Sequence, residues 1–327
     1  MNSMRLLYLL PLALLLLVLY ACEKASGDDT TTPDEPPVVN PKDDPMGSSM
    51  VIYEVNPKVF AKTGALKTIT ENLDRIHKLG ADVLWLMPIY PQGKKNGVGS
   101  PYCVMDYKSV NSEYGTMEDL KELVKTAHSK GMKVILDWVG NHTSWDNPWI
   151  TEHPEWYTQE KGEIISPKGM GWNDVADLNY NSTEMRSAMK DAMMFWVETA
   201  DVDGFRCDYT DGVPTDFWKD AISELRKKKE MIMLGGSSDS KYYGSGFDML
   251  YAWSYAGNLP KVYAGNLSLS ELINIYNSID ISFGCDDEYI IKITNDILNF
   301  TSCELGLPLL THSGLITKGY NTLNEGL

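Results

Sequence analysis

Two strings concentrate side chains able to do nucleophilic or acid–base chemistry. They are Asp137-Trp138-Val139-Gly140-Asn141-His142 and Asp203-Gly204-Phe205-Arg206-Cys207-Asp208. The second sets an arginine two residues before an aspartate. Side chains alternate with period two along a strand, so Arg206 and Asp208 share a face and Cys207 points away. A guanidinium within a few ångströms keeps a carboxylate ionised, so Arg206 can hold Asp208 in its charged form.

Each string needs an element to hold it. The first follows the apolar run Met132-Lys133-Val134-Ile135-Leu136, and the second carries its own apolar residues, Val202 and Phe205. Both therefore place polar groups at the C-terminal end of a buried strand. Strands are expected near 51–56, 82–87, 132–137, 202–208, 230–235 and 247–252. Helices are expected over Leu66–Leu79, stopped by Gly80, and over Thr116–Lys130, with Thr116 as N-cap, Asp119 at the third helical position and Gly131 at the end. Ser182–Ala200 and Thr215–Lys229 are two more. Strands alternating with helices over this length imply a parallel sheet closed into a barrel, whose active sites lie at the C-terminal strand ends. The stretch from Thr143 to Gly171 interrupts the alternation and carries Trp145, Trp149, Trp156 and Tyr157.

The termini and charge bound the class. The chain has 327 residues and a formal net charge of −16, which argues against a nucleic-acid partner, since phosphates require a basic surface. Arg5 precedes an apolar run from Leu6 to Tyr20, and Ala21-Cys22 follows. That run is short for a membrane span and right for a signal h-region. Residues 1–21 are thus expected to be a lipoprotein signal peptide, with Cys22 lipidated. Residues 22–49, rich in Asp, Glu, Thr and Pro, read as an acidic tether, and residues 50–327 as the barrel. The expected location is the cell envelope, at the outer membrane or cell surface, with the lipid on Cys22 as the membrane contact. Cys103, Cys207, Cys285 and Cys303 have no metal-site spacing and read as free thiols.

The two strings resemble the first and second signature motifs of the α-amylase family of glycoside hydrolases. Tyr53-Glu54-Val55, Val83-Leu84-Trp85-Leu86-Met87-Pro88, Tyr102-Cys103-Val104-Met105-Asp106-Tyr107, Tyr114-Gly115-Thr116 and Trp172-Asn173-Asp174-Val175-Ala176-Asp177-Leu178 extend the likeness in order. The resemblance implies a (β/α)8 TIM barrel with a small subdomain inserted after the third strand, acting on α-linked glucans such as starch. It implies retaining cleavage through a covalent intermediate on Asp208, oriented by Arg206, with His142 and Tyr102 holding the sugar and Asp137 as a structural hydrogen-bonding residue. It also implies a calcium ion with Asn141 and Asp177 among its ligands, although Gly212 replaces a frequent third ligand.

The likeness weakens after residue 230. The general-acid glutamate falls on Gly236, and Asp239 could replace it only with a rearranged loop. Ile293-Thr294-Asn295-Asp296 resembles the fourth motif without its histidine, with Asp296 as the third carboxylate. Ten residues separate Asp296 from Leu307-Pro308-Leu309-Leu310, too few for a crossover helix. The C-terminal part of the barrel is therefore expected to be incomplete. Two rivals follow: a catalytically inactive α-glucan-binding protein and a truncated gene product.

Overall fold

The computed structural model describes residues 50–278. Residues 1–49, which hold the expected signal run, Cys22 and the expected tether, lie outside the described residues, as do Cys285, Asp296, Cys303 and Leu307–Leu310. Along the chain, β1 (Ile52–Val55) and the short α1 (Pro57–Phe60) lead to α2 (Ala65–Lys78), β2 (Val83–Leu86), α3 (Met117–Ser129) and β3 (Lys133–Val139). A detour follows through β4 (His142–Ser144), α4 (Trp149–Glu152), β5 (Gln159–Glu160), β6 (Glu163–Ile164) and β7 (Val175–Asp177). Alternation resumes with α5 (Thr183–Ala200), β8 (Gly204–Asp208), α6 (Thr215–Arg226), β9 (Ile232–Gly235) and β10 (Met249–Leu250), then α7 (Trp253–Tyr263) and α8 (Leu269–Asn277).

Strands β1, β2, β3, β8, β9 and β10 form one sheet in that order, and every pairing is parallel. Neighbours in the sheet are neighbours in the chain once the detour is set aside. With helices between them, these strands make a partial (β/α)8 barrel. In the detour, β4 pairs antiparallel with β7, and β5 with β6, forming the inserted subdomain.

Strand alternation sorts the apolar residues into two layers. Ile52, Val83, Trp85, Ile135, Ile232, Leu234 and Met249 pack together on the inner face. Leu84, Leu86, Val134, Leu136, Phe205, Cys207 and Met233 face the helices instead. The helices meet them with stripes at three- and four-residue spacing, such as Leu66, Ile69, Leu73 and Ile76 on α2, all fully buried. Helix α3 begins with a reciprocal capping box between Thr116 and Asp119. Gly204 is dictated by close packing: a Cβ there would lie 1.9 Å from the carbonyl oxygen of Ile232 on the adjacent strand.

Asp203 ties β8 to its neighbours at the strand's start. Its Oδ2 accepts from the Val134 amide at 2.8 Å and lies 2.6 Å from His128 Nε2, while Lys229 Nζ stands 3.2 Å from Oδ1. Burial raises the Asp203 pKa, but the Val134 amide, His128 and Lys229 outweigh it and hold the carboxyl below its ordinary value. A carboxyl depressed in the folded state contributes stability that is present above its unfolded pKa and lost as pH falls through the folded one. Asp203→Asn should cost about 2 kcal/mol at neutral pH, as expected for hydrogen bonds to a charged group. The gap from wild type should close as the pH is lowered below ~4. Thermal melts across that range measure it, and a gap independent of pH would contradict the assignment.

Candidate active site

The parallel register brings the two sequence strings side by side. Asp137 on β3 is opposite Arg206 on β8, and Val139 is opposite Asp208. Asp137, Arg206 and Asp208 are joined at one guanidinium nitrogen. Arg206 Nη1 donates to Asp137 Oδ1 at 3.0 Å and to Asp208 Oδ1 at 2.8 Å. Arg206 Nε donates to the Tyr251 hydroxyl at 3.1 Å, and the guanidinium lies over the rings of Trp85 and Tyr251. Two carboxylates thus share a cation that is fixed by aromatic walls.

Asp137 is fully buried and accepts at Oδ2 from Trp85 Nε1 and the Tyr102 hydroxyl, each at 3.1 Å. Burial raises its pKa against the pull of Arg206, and the neighbouring Asp208 adds to the rise. Asp208 is half-buried at the strand end, where a ligand can reach it. Tyr102 hangs over the same group, and burial, then the charge of Asp137, raises its hydroxyl pKa. His142 lies 4 % exposed, and burial lowers its pKa, so it is a neutral imidazole at pH 7. Its Nδ1 lies 3.2 Å from Asn141 Nδ2, and Trp172 packs edge-on against its ring.

Three participants have roles that only the fold reveals. Trp85 and Tyr251 are inner-face residues whose polar atoms meet Asp137 and Arg206. Trp172, from the detour, touches both His142 and Tyr209. Period-two alternation could have placed Trp85 and Tyr251 on the inner face, but not their partners. Tyr209, directly after Asp208, adopts φ 42°, ψ 56°. This left-handed conformation in a non-glycine residue costs of order 1–3 kcal/mol and recurs at functional sites.

Register also places Gly236, the position where the resemblance puts the general acid. Cys207 is opposite Gly235, and the Gly236 amide donates to the Cys207 carbonyl at 2.8 Å, so Gly236 follows at the level of Asp208. A Cβ on Gly236 would lie 3.3 Å from Arg206 Nη2, but also 2.7 Å from the Cys207 carbonyl oxygen. The position therefore faces the site, yet backbone crowds it. Gly236→Ala should destabilise by about 1–3 kcal/mol, the usual cost of overpacking. Urea unfolding checks this, and an unchanged midpoint would show that the β9 end yields freely. Asp239 does not fill the gap. It caps the turn Ser240–Ser245 and pairs with Lys241 Nζ at 2.7 Å, and Lys241 holds its carboxyl below the ordinary value. It is therefore ionised at neutral pH and has no proton to give.

The calcium expectation rests on Asn141 and Asp177. Asn141 precedes the residue paired with Asp177 across β4 and β7, so the two are neighbours. Calcium takes six to eight oxygens, and Gly212 brings no side chain. Among the described residues, no three His, Cys, Asp or Glu side chains converge on a common point. Asp177 is half-buried, and burial raises its pKa. Asn141 and Asp177 are the residues that would hold the ion, and no step below passes through it.

Known proteins share both sequence and architecture. An alpha-amylase of Lactobacillus plantarum superimposes with TM-score 0.66 at 36% identity, covering 72% of this chain and 60% of that one. A maltogenic alpha-amylase of Thermotoga neapolitana gives TM-score 0.65 at 34% identity, covering 69% and 54%. Alpha-amylase 3 of Dictyoglomus thermophilum is 32% identical over 234 residues, which is 61% of this chain and 45% of the relative. The trehalose-6-phosphate hydrolase of Bacillus subtilis is 34% identical over 209 residues, 53% and 36%. The chain thus spans less than half the length of these two curated relatives. The pattern of the alpha amylase catalytic domain matches residues 27–170 and 169–235, ending one residue before Gly236. With that pattern covering most of the chain, and with its two motifs converging on Asp208, the protein belongs to the α-amylase family.

Proposed function

We propose that the chain is a glycoside hydrolase of the α-amylase type, built to form a covalent glycosyl intermediate on Asp208 from α-linked glucans. The observation that carries this reading is the shared guanidinium. Arg206 holds Asp208 at 2.8 Å, on the inner face at the C-terminal strand end, beside Tyr102 and His142. A carboxylate oriented at that place is the requirement for attack on an anomeric carbon. Attack forms a bond from Asp208 oxygen to C1 as the glycosidic C–O bond breaks with inversion. Water then attacks C1 from the other face, and the second inversion restores the α configuration.

In a natural glucan the departing oxygen needs a proton, and Gly236 cannot supply one. A positioned acid contributes roughly 10²–10⁴-fold, so starch hydrolysis should be slow by that factor. A leaving group that needs little protonation bypasses the defect. α-Maltosyl fluoride should release a burst of about one fluoride per folded chain, followed by slow turnover, because the second step lacks its base. A fluoride electrode measures the burst. Its absence would favour the second reading, a glucan-binding protein without catalysis, for which Gly236 is the specific observation.

A further inference from the structure

The chain turns sharply after Asp208. Tyr209 is left-handed, and Thr210–Gly212 forms a single tight turn. The Thr210 hydroxyl donates to the Cys207 carbonyl at 3.0 Å, and Trp218 Nε1 donates to the Thr210 carbonyl at 3.2 Å, so the turn is pinned to β8 and to α6. Its middle residue, Asp211, is thereby brought to the end of β9. Asp211 Oδ1 accepts from the Ser237 hydroxyl at 2.9 Å, and Ser237 directly follows Gly236. Asp211 itself is exposed, while Ser237 and Tyr242, which also bonds it, are buried. We propose that Asp211 is a specificity-determining residue, a charge filter that bars anionic leaving groups and acceptors from the departing side of the cleft and admits neutral or cationic ones.

The side follows from the chemistry of a retaining cleft. Nucleophile and acid stand across the glycosidic bond, and the acid faces the departing oxygen. Gly236 is level with Asp208, at the position of that acid. A group held by Ser237 therefore borders the departing residue. By microscopic reversibility it also borders any acceptor that later attacks C1. This assignment of sides rests on the functional reading above, while the filter rests on charge.

Basic side chains nearby are already taken. Arg206 Nη1 is shared by Asp137 and Asp208, and Lys241 Nζ pairs with Asp239 at 2.7 Å. Among the described residues Asp211 makes no ion pair. Its charge still reaches its neighbours. Burial, then the charge of Asp211, raises the Tyr242 pKa, and Asp239, then Asp211, raises that of Lys241. A like charge at a cleft with low-dielectric walls lowers the local concentration of an anion. A phosphate or carboxylate on the departing residue meets that field, whereas sugar hydroxyls can donate to it. A purely structural Asp211 would only fasten the turn to β9, which an asparagine does as well.

Discharge of the maltosyl group from Asp208 by two nucleophiles that need no base tests the filter. Azide is an anion, and imidazole above pH 8 is neutral. Each forms a bond from nitrogen to C1 as the C1–O bond to Asp208 breaks and the carboxylate leaves with the electron pair. The readout is the ratio of the two rates within one protein, followed by intact mass, so a change in overall activity cancels. Asp211→Asn keeps an oxygen for Ser237 and removes the formal charge. The azide-to-imidazole ratio should rise roughly 3- to 10-fold, as expected for one unit charge several ångströms away, and the gain should fade in 1 M salt, where the screening length is about 3 Å. Asp211→Ser serves as the second variant should the first fail to fold. An unchanged ratio, or a gain that salt does not touch, would overturn the filter. Should no adduct form, the nucleophile reading fails, and an equilibrium measurement decides the filter. The Trp172 ring packs 5.1 Å from that of Tyr209, two residues before Asp211. The fluorescence lost in Trp172→Phe isolates its signal. Iodide should quench that signal at least about 2-fold more strongly in Asp211→Asn than in wild type, with neutral acrylamide equally effective in both. Equal iodide quenching would overturn the filter whatever Asp208 does.

Discussion

Arg206→Leu should remove about 3–5 kcal/mol of folding stability, the usual cost of leaving a buried charge without its partner. For a domain of this size that corresponds to a fall of roughly 6–20 °C in Tm. The reason lies in what Arg206 separates. Asp137 is fully buried, and Asp208 reaches the same Nη1 atom from the other side. Without the guanidinium, two carboxylates face each other with no cation between them. Burial and mutual repulsion already raise the Asp137 pKa against Arg206, so Asp137 would take up a proton. The Trp85 and Tyr251 rings would lose the planar cation between them.

Two companion variants separate charge from packing. Arg206→Lys keeps the charge but not the fork that reaches Asp137, Asp208 and Tyr251 together, and should fall between wild type and leucine. Arg206→Leu combined with Asp137→Asn removes the buried unpaired charge. It should recover part of the loss, so the two substitutions should be non-additive. Denaturant melts of wild type, Arg206→Leu, Asp137→Asn and the double variant measure the cycle, with Arg206→Lys melted beside them. A cost below about 1 kcal/mol for Arg206→Leu would place this pair with exposed ion pairs, and the central cluster would not be organised as described.

Much of this cluster is legible in the amino-acid sequence. Period-two alternation alone sets Arg206 and Asp208 on one face and sends Cys207 to the helices, where it is buried in the outer layer. The apolar runs locate the six parallel strands to within a few residues, because each is buried on both faces and reads as nearly continuous hydrophobic sequence. Thr116 and Asp119 announce the start of α3 for a purely local reason, the capping box. What stays hidden depends on atoms far apart in the chain. Trp85 Nε1 meets a carboxylate 52 residues away. The crowding at Gly236 comes from the Cys207 carbonyl of the neighbouring strand. Asp239 reads as a displaced acid in the sequence, but in the fold its own turn and Lys241 occupy both its oxygens. The proximity of Asn141 to Asp177, 36 positions apart, comes from the pairing of β4 with β7.

The crowding at Gly236 also bears on how the proposed loss of the general acid should be tested. A glutamate installed there must first displace the end of β9, so a failed rescue by Gly236→Glu would confound chemistry with packing. An activated substrate avoids that problem, since it asks nothing of position 236. α-Maltosyl fluoride needs only that Asp208 attack C1 as the C–F bond breaks. The maltosyl group should then remain on Asp208, because hydrolysis of the ester lacks a general base. A small anion such as azide, which needs no base to become nucleophilic, should attack C1 and release it as α-maltosyl azide.

Intact-mass analysis of the folded chain after exposure to α-maltosyl fluoride is the most direct measurement. The predicted result is a gain of one maltosyl group, mapping to the peptide that carries Asp208 and absent from Asp208→Asn. Addition of azide should discharge it. A folded wild-type chain that gains no mass, or an adduct that persists in Asp208→Asn, would contradict the assignment of Asp208 as the nucleophile.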